Sequence, residues 1–400
     1  MTKRSVVVVG AGTVGLVTAL GLARRGVDVT VVEREVTVDA GPRDMIYHWS
    51  ILPALAELGV LVAMQQVGLT CSRYTMQVLA TGERISLDMD VLADATPTPF
   101  NLHVPQAAMT DVLVAALDAL PNATVERGVE VLSLEQDADG VTITADSSDG
   151  PREYRSDWVV GADGARSNVR RTLGLSLAGR TWPERMISID LGYDLGRLGH
   201  SCGSTQLDPT HGATIARVDA TGVWRYTIAE SRMLPEEQIT DRAVEALRQA
   251  LPDGADHQVV RMSPYRIHQR STDTYRVGRA LLVGDAAHLT TPTLALGMLS
   301  GLCDAMLLVE GLAAVILDRI SDGLLDEYST RRRQNFRDVT SPRSAERMDL
   351  VYAPGSMAEL DRRFDLYRRI ALDRDATRSF FEADLDCRSP SLFTRHDATA

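Results

Sequence analysis

The sequence predicts an α/β (α+β) fold in which a parallel-sheet unit is interrupted by an inserted, mainly antiparallel β-sheet and is followed by a C-terminal helical tail. Three observations support this expectation. The chain opens with a strand, a glycine turn, a helix and a second strand. Two later strand-like segments end in turns that contain aspartate and glycine, and segments with a period of two occupy the middle of the chain. The 400 residues suffice for two domains, or for one large domain with an insertion.

Composition is that of a soluble globular protein. Apolar residues make up 44%, and the net charge of −12 without a long basic run argues against a nucleic-acid partner. The densest basic cluster, Arg331–Arg337, is expected to be a solvated helix face. The four cysteines form no C-x-x-C pair, so neither a disulfide framework nor a metal site is predicted. We find neither a signal peptide nor a run of about 18 apolar residues, and expect a cytoplasmic protein without membrane contact.

The first predicted element is a βαβ unit. Ser5–Val9 is β-branched and continuously apolar, as expected of a strand that is covered on both faces. Helical spacing follows over Leu16–Arg25, and Gly26 is a helix stop. Asp28–Val32 is the predicted second strand.

The turn inside this unit, GAGTVG, fits the pattern G-x-G-x-x-G. Gly10 permits the tight turn, Gly12 lets the backbone approach a pyrophosphate, and Gly15 allows close packing of helix on strand. The helix N-terminus offers N–H groups and a positive dipole end to phosphates. Glu33, at the end of the second strand, can accept hydrogen bonds from both ribose hydroxyls and would repel a 2′-phosphate. This Rossmann-like pattern indicates an adenine dinucleotide with an unphosphorylated ribose, either NAD or FAD.

The middle of the chain changes its periodicity twice. Gln106–Leu120 has the pattern of an amphipathic helix, and Thr124–Val160 alternates with turns that suit hairpins. Further strand-like pieces occur over Met186–Ile228 and Val259–Arg270, and the helical pattern returns at Gly297. The expected domains are a first dinucleotide-binding part at 1–180 with substrate-pocket segments around 71–105, an inserted substrate-binding sheet at 181–275, a second dinucleotide-binding part at 276–340, and a helical tail at 341–400.

Two later turns follow predicted strands at the edge where ligands of open α/β sheets bind. In DWVVGADGARSN, Asp163 and Gly164 precede a helix that begins near Ser167. In ALLVGDAAHL, Gly284 and Asp285 follow the strand directly. Asp285 can accept a hydrogen bond from the ribityl chain of a flavin, and the alternative is that it caps the following helix.

These three motifs, in this order, resemble the FAD-dependent single-component (class A) aromatic hydroxylases, the family of p-hydroxybenzoate hydroxylase. The resemblance covers residues 5–34, 158–173 and 279–314. It implies FAD as the bound cofactor, NADH or NADPH as a transient co-substrate, and a homodimer. Carried over by motif position, it assigns FAD contacts to Gly10, Gly12, Gly15, Glu33, Arg34, Arg43, Gln106, Asp163, Gly164, Gly284, Asp285, Pro292, Gly297, Met298 and Leu299.

One position departs from the family pattern. The family commonly reads G-x-G-(M/L)-N-x-G after the proline, and this chain has Leu299 where asparagine is usual. The binding or mobility of the flavin ring is therefore expected to differ. ALGMLSGLCDA and the segment Arg43–Val60 are similar to a subgroup that includes bacterial hydroxypyridine hydroxylases.

The resemblance implies a two-stage reaction. NAD(P)H reduces FAD, and O2 then gives a C4a-hydroperoxyflavin that hydroxylates a small phenolic or hydroxypyridine-type ring. The protein must also take the proton from a ring hydroxyl, a task that suits histidine near neutral pH. His48 is the expected base because it follows the predicted FAD contact Arg43, and the alternative is a purely structural histidine. His103 is a further candidate for the cavity wall, and His288 is expected to be structural or near the cofactor.

Substrate contacts are expected from one face of the inserted sheet. In VWRYTI, alternation puts Tyr226 on the face opposite to Arg225 and Thr227. Tyr226 and Tyr193 are candidate contacts for a phenol or pyridinol. The alternative for both is an ordinary core tyrosine.

Other functions remain open from the sequence. The same fold can support reduction of isoprenoid double bonds, Baeyer–Villiger oxidation or epoxidation. A halogenase of this fold would carry a W-x-W-x-I-P element, which the sequence lacks. A non-enzymatic dinucleotide-binding regulator would consume no NAD(P)H, but three cofactor motifs exceed what such a scaffold needs.

Overall fold

The computed structural model describes residues 4–37, 45–251 and 258–393. Within these residues the strands, in chain order, are β1 (Ser5–Val9), β2 (Asp28–Glu33), β3 (Ile46–Tyr47), β4 (Leu69–Cys71), β5 (Arg73–Val78), β6 (Arg84–Asp88), β7 (Asn101–His103), β8 (Ala123–Arg127), β9 (Val129–Gln136), β10 (Val141–Ser147), β11 (Gly150–Ser156), β12 (Trp158–Gly161), β13 (Ala178–Leu191), β14 (Gly203–Leu207), β15 (Ala213–Arg217), β16 (Trp224–Ser231), β17 (Val259–Ser271), β18 (Arg276–Val277), β19 (Ala280–Leu282) and β20 (His288–Leu289). The α-helices are α1 (Thr13–Arg24), α2 (Leu52–Glu57), α3 (Leu61–Val67), α4 (Gln106–Asp118), α5 (Asn168–Thr172), α6 (Ile239–Ala250), α7 (Leu296–Leu317), α8 (Leu324–Asn335), α9 (Ser341–Tyr352), α10 (Met357–Leu372) and α11 (Arg374–Glu382).

A six-stranded sheet in the order β18-β19-β12-β1-β2-β8 forms the centre of the dinucleotide-binding unit. Its inner pairs are parallel, and β18 is an antiparallel edge. The predicted βαβ unit is confirmed. Val6, Val8 and Val31 are fully buried, and α1 packs against β1 and β2.

Of the hairpin strands predicted over Thr124–Val160, only β9, β10 and β11 form an antiparallel sheet. The strand before it, β8, pairs in parallel with β2 instead. The side-chain amide of Asn122 donates to the carbonyl oxygens of Ala23 and Val27, at 2.9 and 2.8 Å, and so anchors the chain beside β2. That contact depends on tertiary packing, which a period of two does not reveal.

The second large sheet has eight strands in the order β20-β17-β13-β16-β15-β14-β5-β6. Its pairs are antiparallel except for β14 with β5, so the mainly antiparallel sheet predicted for the middle of the chain is confirmed. Two of its strands, β5 and β6, come from a separate part of the chain, before the insertion predicted at 181–275. The domain boundaries expected from the sequence stay a prediction.

The described part of the C-terminal region is helical, as predicted. A π-helical turn at Phe336–Thr340 continues α8 directly into α9. The cluster Arg331–Arg337 is also not a solvated face throughout, since Arg332 is 0% exposed. Its guanidinium is buried against α7, where Nε donates to Asp304 Oδ1 at 2.6 Å.

Helix α7 passes through the core. The helical stretch Thr293–Leu317 is long and apolar enough to cross a membrane, but 89% of its apolar window is buried inside the protein. Its Glu310 carboxylate accepts a hydrogen bond from the backbone N–H of Leu392 at 2.9 Å. Burial of this extent is typical of a core helix.

Candidate active site

A cavity of about 750 Å³ lies where the carboxyl ends of β1, β2, β12 and β19 meet one face of the eight-stranded sheet. Of the residues predicted to contact FAD, those that line this cavity are Gly10, Gly12, Glu33, Arg34, Gln106, Asp163, Gly164, Gly284, Asp285, Pro292, Gly297 and Met298. Arg43 lies outside the described residues. The three motifs therefore meet at one site, although the role of each residue in FAD binding stays a prediction.

The glycine turn has the geometry that the motif requires. Gly10 has φ +107°, and a Cβ there would lie 2.4 Å from the carbonyl oxygen of Ala162. Gly15 is set back from the cavity, and a Cβ on it would lie 2.1 Å from the carbonyl oxygen of Gly10, so close packing of α1 requires glycine. A Cβ on Gly12 would meet no protein atom within 4 Å and would project into the cavity, where a pyrophosphate needs space.

Glu33 holds the glycine turn as well as lining the cavity. Its Oε2 accepts a hydrogen bond from the backbone N–H of Ala11 at 2.7 Å, and its Oε1 accepts one from that of Glu35 at 2.9 Å. A carboxylate has about four acceptor sites, so it can still accept bonds from ribose hydroxyls. Arg34, the next residue, is half-exposed and its Nε lies 3.1 Å from Glu35 Oε1.

The Asp163–Gly164 turn is fixed by its own aspartate. Asp163 Oδ2 accepts hydrogen bonds from the backbone N–H groups of Asn168 and Val169, at 2.6 and 3.1 Å, at the start of α5. Burial raises the pKa of Asp163. The carboxylate therefore shapes the turn, in addition to any contact with a cofactor.

Arg170 joins the Asp163–Gly164 turn to the Gly284–Asp285 turn, a link that the sequence did not reveal. Its guanidinium donates to the carbonyl oxygen of Ala165 at 2.9 Å and to that of Ala286 at 3.0 Å. Ala286 follows the Gly284–Asp285 turn, in which Asp285 is exposed at the cavity. The pattern SNVRR carried no signal for this contact, because its partner lies more than 100 residues away.

Three buried polar atoms on the cavity wall support a bound cofactor. Gln106 Oε1, Asp163 Oδ1 and Thr290 Oγ1 have no hydrogen-bond partner among the described residues. Buried polar groups are normally bonded, so each of these atoms is available to a group from outside the chain. These atoms and the open space beside Gly12 fit FAD, whose ribityl hydroxyls, ribose and pyrophosphate offer donors and acceptors.

A strained turn lies between Pro292 and α7. Leu294 and Ala295 have φ +58° and +52°, in the left-handed region that non-glycine residues seldom adopt, at a cost of about 1–3 kcal/mol each. The turn is held from one side because the hydroxyls of Thr291 and Thr293 donate to the carbonyl oxygen of Ser344, at 3.0 and 2.8 Å. We refer to Leu294–Ala295 as the flavin turn, since it leads directly into Gly297 and Met298 on the cavity wall.

His48 lies on the cavity wall, as predicted, and both of its ring nitrogens have partners within the protein. Its Nε2 is 2.6 Å from the carbonyl oxygen of Leu294, and its Nδ1 is 2.8 Å from Asp384 Oδ2. Burial alone would lower the pKa of His48, but the Asp384 carboxylate and the Leu294 carbonyl outweigh it and raise this pKa. Both ring nitrogens face acceptor oxygens in this arrangement, and the expectation that His48 removes the substrate proton stays a prediction.

His103 offers an acceptor lone pair. It lines the same cavity, and its Nδ1 donates to the carbonyl oxygen of Arg217 at 2.8 Å. This bond sets the tautomer, so Nε2 is an acceptor. Burial lowers the pKa of His103 to about 4, and the imidazole is neutral near pH 7.

Hydroxyl groups form a row across the cavity face of the eight-stranded sheet. Ser188, Thr227, Thr214 and Thr205 lie opposite one another on β13, β16, β15 and β14, and all four line the cavity. Thr214 Oγ1 is 3.0 Å from the hydroxyl of Tyr352 on α9. Alternation within each strand is visible in the sequence, but the register that aligns these hydroxyls is not.

The two tyrosines predicted to contact substrate do not reach the cavity. Tyr226 is 0% exposed, accepts a hydrogen bond from Gln206 Nε2 at 2.7 Å, and belongs to an apolar cluster beneath α6 that Tyr193 also contacts. The predicted separation of Tyr226 from Arg225 and Thr227 is confirmed, but α6 covers the tyrosine face and the opposite face meets the cavity.

Leu299 is likewise corrected as a cofactor contact. It is 1% exposed and lies in the apolar core around the six-stranded sheet, behind the cavity wall formed by Gly297 and Met298. Its side chain is placed by the periodicity of α7, which turns this position towards the sheet.

Comparison with known proteins agrees with this geometry. The FAD binding domain family matches residues 3–342 of the chain. The chain is 38% identical over 351 residues to 6-hydroxy-3-succinoylpyridine 3-monooxygenase HspB of Pseudomonas putida, which covers 88% of this chain and 89% of that protein. It is 36% identical over 345 residues to para-nitrophenol 4-monooxygenase of a Pseudomonas species, which covers 85% of each. The crystal structure of p-nitrophenol 4-monooxygenase PnpA from Pseudomonas putida matches with a TM-score of 0.92 at 33% identity, over 97% of this chain and 99% of that one.

Proposed function

This chain belongs to the FAD binding domain family and is an FAD-dependent aromatic monooxygenase, and we propose that it hydroxylates a small phenolic or hydroxypyridine-type ring whose second substituent accepts hydrogen bonds. The observation that carries the proposal is the row of hydroxyls on the cavity face of the eight-stranded sheet. The relatives' names, 6-hydroxy-3-succinoylpyridine and para-nitrophenol, also describe hydroxylated rings with an oxygen-bearing substituent.

Two members of the row have unused hydroxyls. Ser188 and Thr227 are 3% and 6% exposed, and neither side chain has a hydrogen-bond partner among the described residues. Arg225 lines the cavity next to them, and Asp190 orients its guanidinium through contacts of 2.8 and 3.3 Å. Two hydroxyl donors beside a fixed cation favour a carboxylate, carbonyl or nitro group on the substrate.

Bound FAD, reduced by NADH or NADPH, supplies the activated oxygen from O2 that is transferred to the ring. The chain's own residues bind and orient the cofactor and the substrate. The glycine turn, the Asp163–Gly164 turn and the Gly284–Asp285 turn hold the cofactor, and the eight-stranded sheet holds the polar end of the substrate. His103 Nε2 accepts a hydrogen bond from the ring hydroxyl, which makes the neighbouring ring carbon more nucleophilic.

The first test compares ring substituents. The purified yellow protein would be mixed with NADH or NADPH and with para-nitrophenol, 6-hydroxy-3-succinoylpyridine, 4-hydroxybenzoate or unsubstituted phenol, and product would be measured with coenzyme oxidation. We expect coupled product formation from rings with an acceptor substituent and a markedly higher KM for phenol. Equal KM values for phenol and the substituted rings would contradict the proposed recognition, and no stimulation by any ring would contradict the substrate class.

The second test removes one hydroxyl from the row. Thr227→Val keeps the shape of the side chain and removes about one hydrogen bond, so KM should rise roughly fivefold while flavin reduction is unchanged. Thr144→Val, on the exposed side of β10, is the matched control and should leave KM unchanged. An unaltered KM in Thr227→Val would remove this threonine from the substrate site.

We also propose that the protein is a cytoplasmic homodimer, on the basis of the resemblance of its motifs to the family. Light scattering during size-exclusion chromatography measures the mass directly. A mass near that of one 43.6 kDa chain would contradict the dimer.

A further inference from the structure

We propose that Asp384, in the helical tail, is a positioning residue that holds the flavin turn Leu294–Ala295 in place through His48. This inference deepens the proposed function and rests on it, since it adds a residue from the tail to the FAD site. Asp384 follows α11 in the chain and is separated from His48 by 336 residues. No motif of the dinucleotide-binding unit includes it.

The contact runs through both nitrogens of one imidazole. Asp384 Oδ2 lies 2.8 Å from His48 Nδ1, and His48 Nε2 lies 2.6 Å from the carbonyl oxygen of Leu294. A carbonyl oxygen only accepts, so Nε2 must carry hydrogen. With a carboxylate on the other side, Nδ1 also donates and the ring is an imidazolium, which strengthens both bonds. The side chains of His48 and Asp384 are 7% and 12% exposed, so water screens the pair weakly.

The surrounding charges favour an ion pair at this position. Arg343 on α9 donates to Asp384 Oδ1 at 3.4 Å and to the carbonyl oxygen of Ala383, and so places a positive charge beside the carboxylate. Its positive charge lowers the pKa of His48, but the opposite effect of Asp384 is larger. His103, the other titratable group that interacts with His48, has its pKa lowered to about 4 and adds no charge near pH 7.

The flavin turn needs this support because its backbone is unfavourable. Leu294 and Ala295 both have positive φ, and such residues persist only where their surroundings determine the conformation. Ser344 fixes the residues before the turn, whereas His48 bonds the carbonyl of Leu294 within it. Displacement of the turn would move the first N–H groups of α7, which lie next to the cavity and are suited to the anionic side of a reduced flavin.

The test is the affinity of the full-length apoprotein for FAD, followed by fluorescence titration. We expect Asp384→Ala to raise Kd for FAD at least tenfold, and Asp384→Asn to raise it less because an amide can still bond His48. Asp384→Glu should restore part of the affinity. Asp386→Asn is the matched control, since Asp386 is exposed in the same segment and should leave Kd within twofold of the parent.

Two further readouts separate positioning from general stability. The His48 ring, followed by nitrogen NMR in the holoenzyme, should be an imidazolium at pH 7 in the parent and lose that proton at lower pH in Asp384→Asn. The flavin reduction potential should fall in the same variant, because the turn then aligns α7 less well with the reduced ring.

The outcomes distinguish this inference from the function it rests on. An FAD affinity of Asp384→Ala within twofold of the parent would overturn the positioning role, even if its melting temperature falls. If Asp384→Ala does not fold, Asp384→Asn and Asp384→Glu decide by the same criterion together with the NMR signal. A parent protein that binds no FAD would contradict the proposed function itself, whereas one that binds FAD but hydroxylates no ring leaves the comparison of variants valid.

Discussion

At the scale of single residues, two histidines on one cavity wall differ because their partners differ. His48 lies between a carboxylate and a carbonyl oxygen, which raises its pKa against the effect of burial. His103 bonds one carbonyl through Nδ1, and burial lowers its pKa to about 4. A histidine motif alone does not distinguish these cases, since the partners Asp384 and Arg217 are remote in the chain. The sequence placed His48 at the cavity, as the structure does, and which of the two histidines acts as the base stays a prediction.

The acceptor role of His103 predicts a defect in hydroxylation that depends on pH. His103→Leu should lower the rate of hydroxylation about 100-fold near pH 6, where a phenol stays protonated, and release peroxide in place of product. The defect should shrink as pH rises, because the substrate then ionises without help. His103→Gln retains an acceptor and should recover part of the rate. The ratio of product to coenzyme oxidised measures the effect, and a pH-independent loss in His103→Leu would reject the role.

At the scale of elements, a buried ionic cluster joins α7, α8 and the Gly284 turn. Asp304 accepts hydrogen bonds from Arg332 Nε at 2.6 Å, from His288 Nε2 at 2.6 Å and from the backbone N–H of Gly284 at 3.0 Å. Arg332 also donates to the carbonyl oxygen of Cys387 at 2.9 Å in the tail. His288 is thus structural, one of the two roles expected from the sequence. The cluster connects the Gly284–Asp285 turn to the two helices that follow it, α7 and α8.

Breaking this cluster should destabilise the whole fold. Asp304→Ala leaves the 0% exposed Arg332 without its carboxylate, and we expect the free energy of unfolding to fall by about 3–5 kcal/mol. Glu327→Gln is the control, since its contact with Arg331 lies on a half-exposed helix surface and contributes about 0.5 kcal/mol at most. Urea denaturation of the holoenzyme measures both changes. A loss below 1 kcal/mol in Asp304→Ala would show that the cluster is not essential to packing.

The elements also show which features the sequence could predict. The βαβ unit and its turn were predicted because the contacts that form the unit itself lie within about 30 residues, where periodicity and glycine positions determine geometry. The alternation that separates Tyr226 from Thr227 was correct, but the choice of the cavity face depends on α6, which packs on Tyr226 from further along the chain. The hydroxyl row could not be predicted, because it requires the register of four strands.

At the scale of the whole molecule, distant parts of the chain line the cavity, and two buried neutral histidines, His103 and His200, make the fold sensitive to acid. Burial lowers the pKa of His103 and that of His200 to about 4, from 6.5 in the unfolded chain. Between these values the unfolded state binds more protons than the folded state, so stability must fall as pH decreases from 6.5 to 4. His48 acts oppositely: its raised pKa adds stability that is complete below pH 6.5 and is lost as pH rises through the folded value.

This linkage predicts a measurable loss of stability in mild acid. For each of His103 and His200 the shift corresponds to about 2 kcal/mol lost between pH 7.5 and pH 5, a large part of the 5–15 kcal/mol typical of a folded protein. His103→Gln and His200→Gln, singly and together, should flatten the dependence of the urea midpoint on pH in equal steps, whatever each substitution does to stability at pH 7.5. His211→Gln, at a half-buried position outside the core, is the control for the loss of a histidine. If the urea midpoint of the double variant depends on pH as strongly as that of the parent, other groups cause the acid sensitivity. That result would contradict a lowered pKa of His103 in the folded protein.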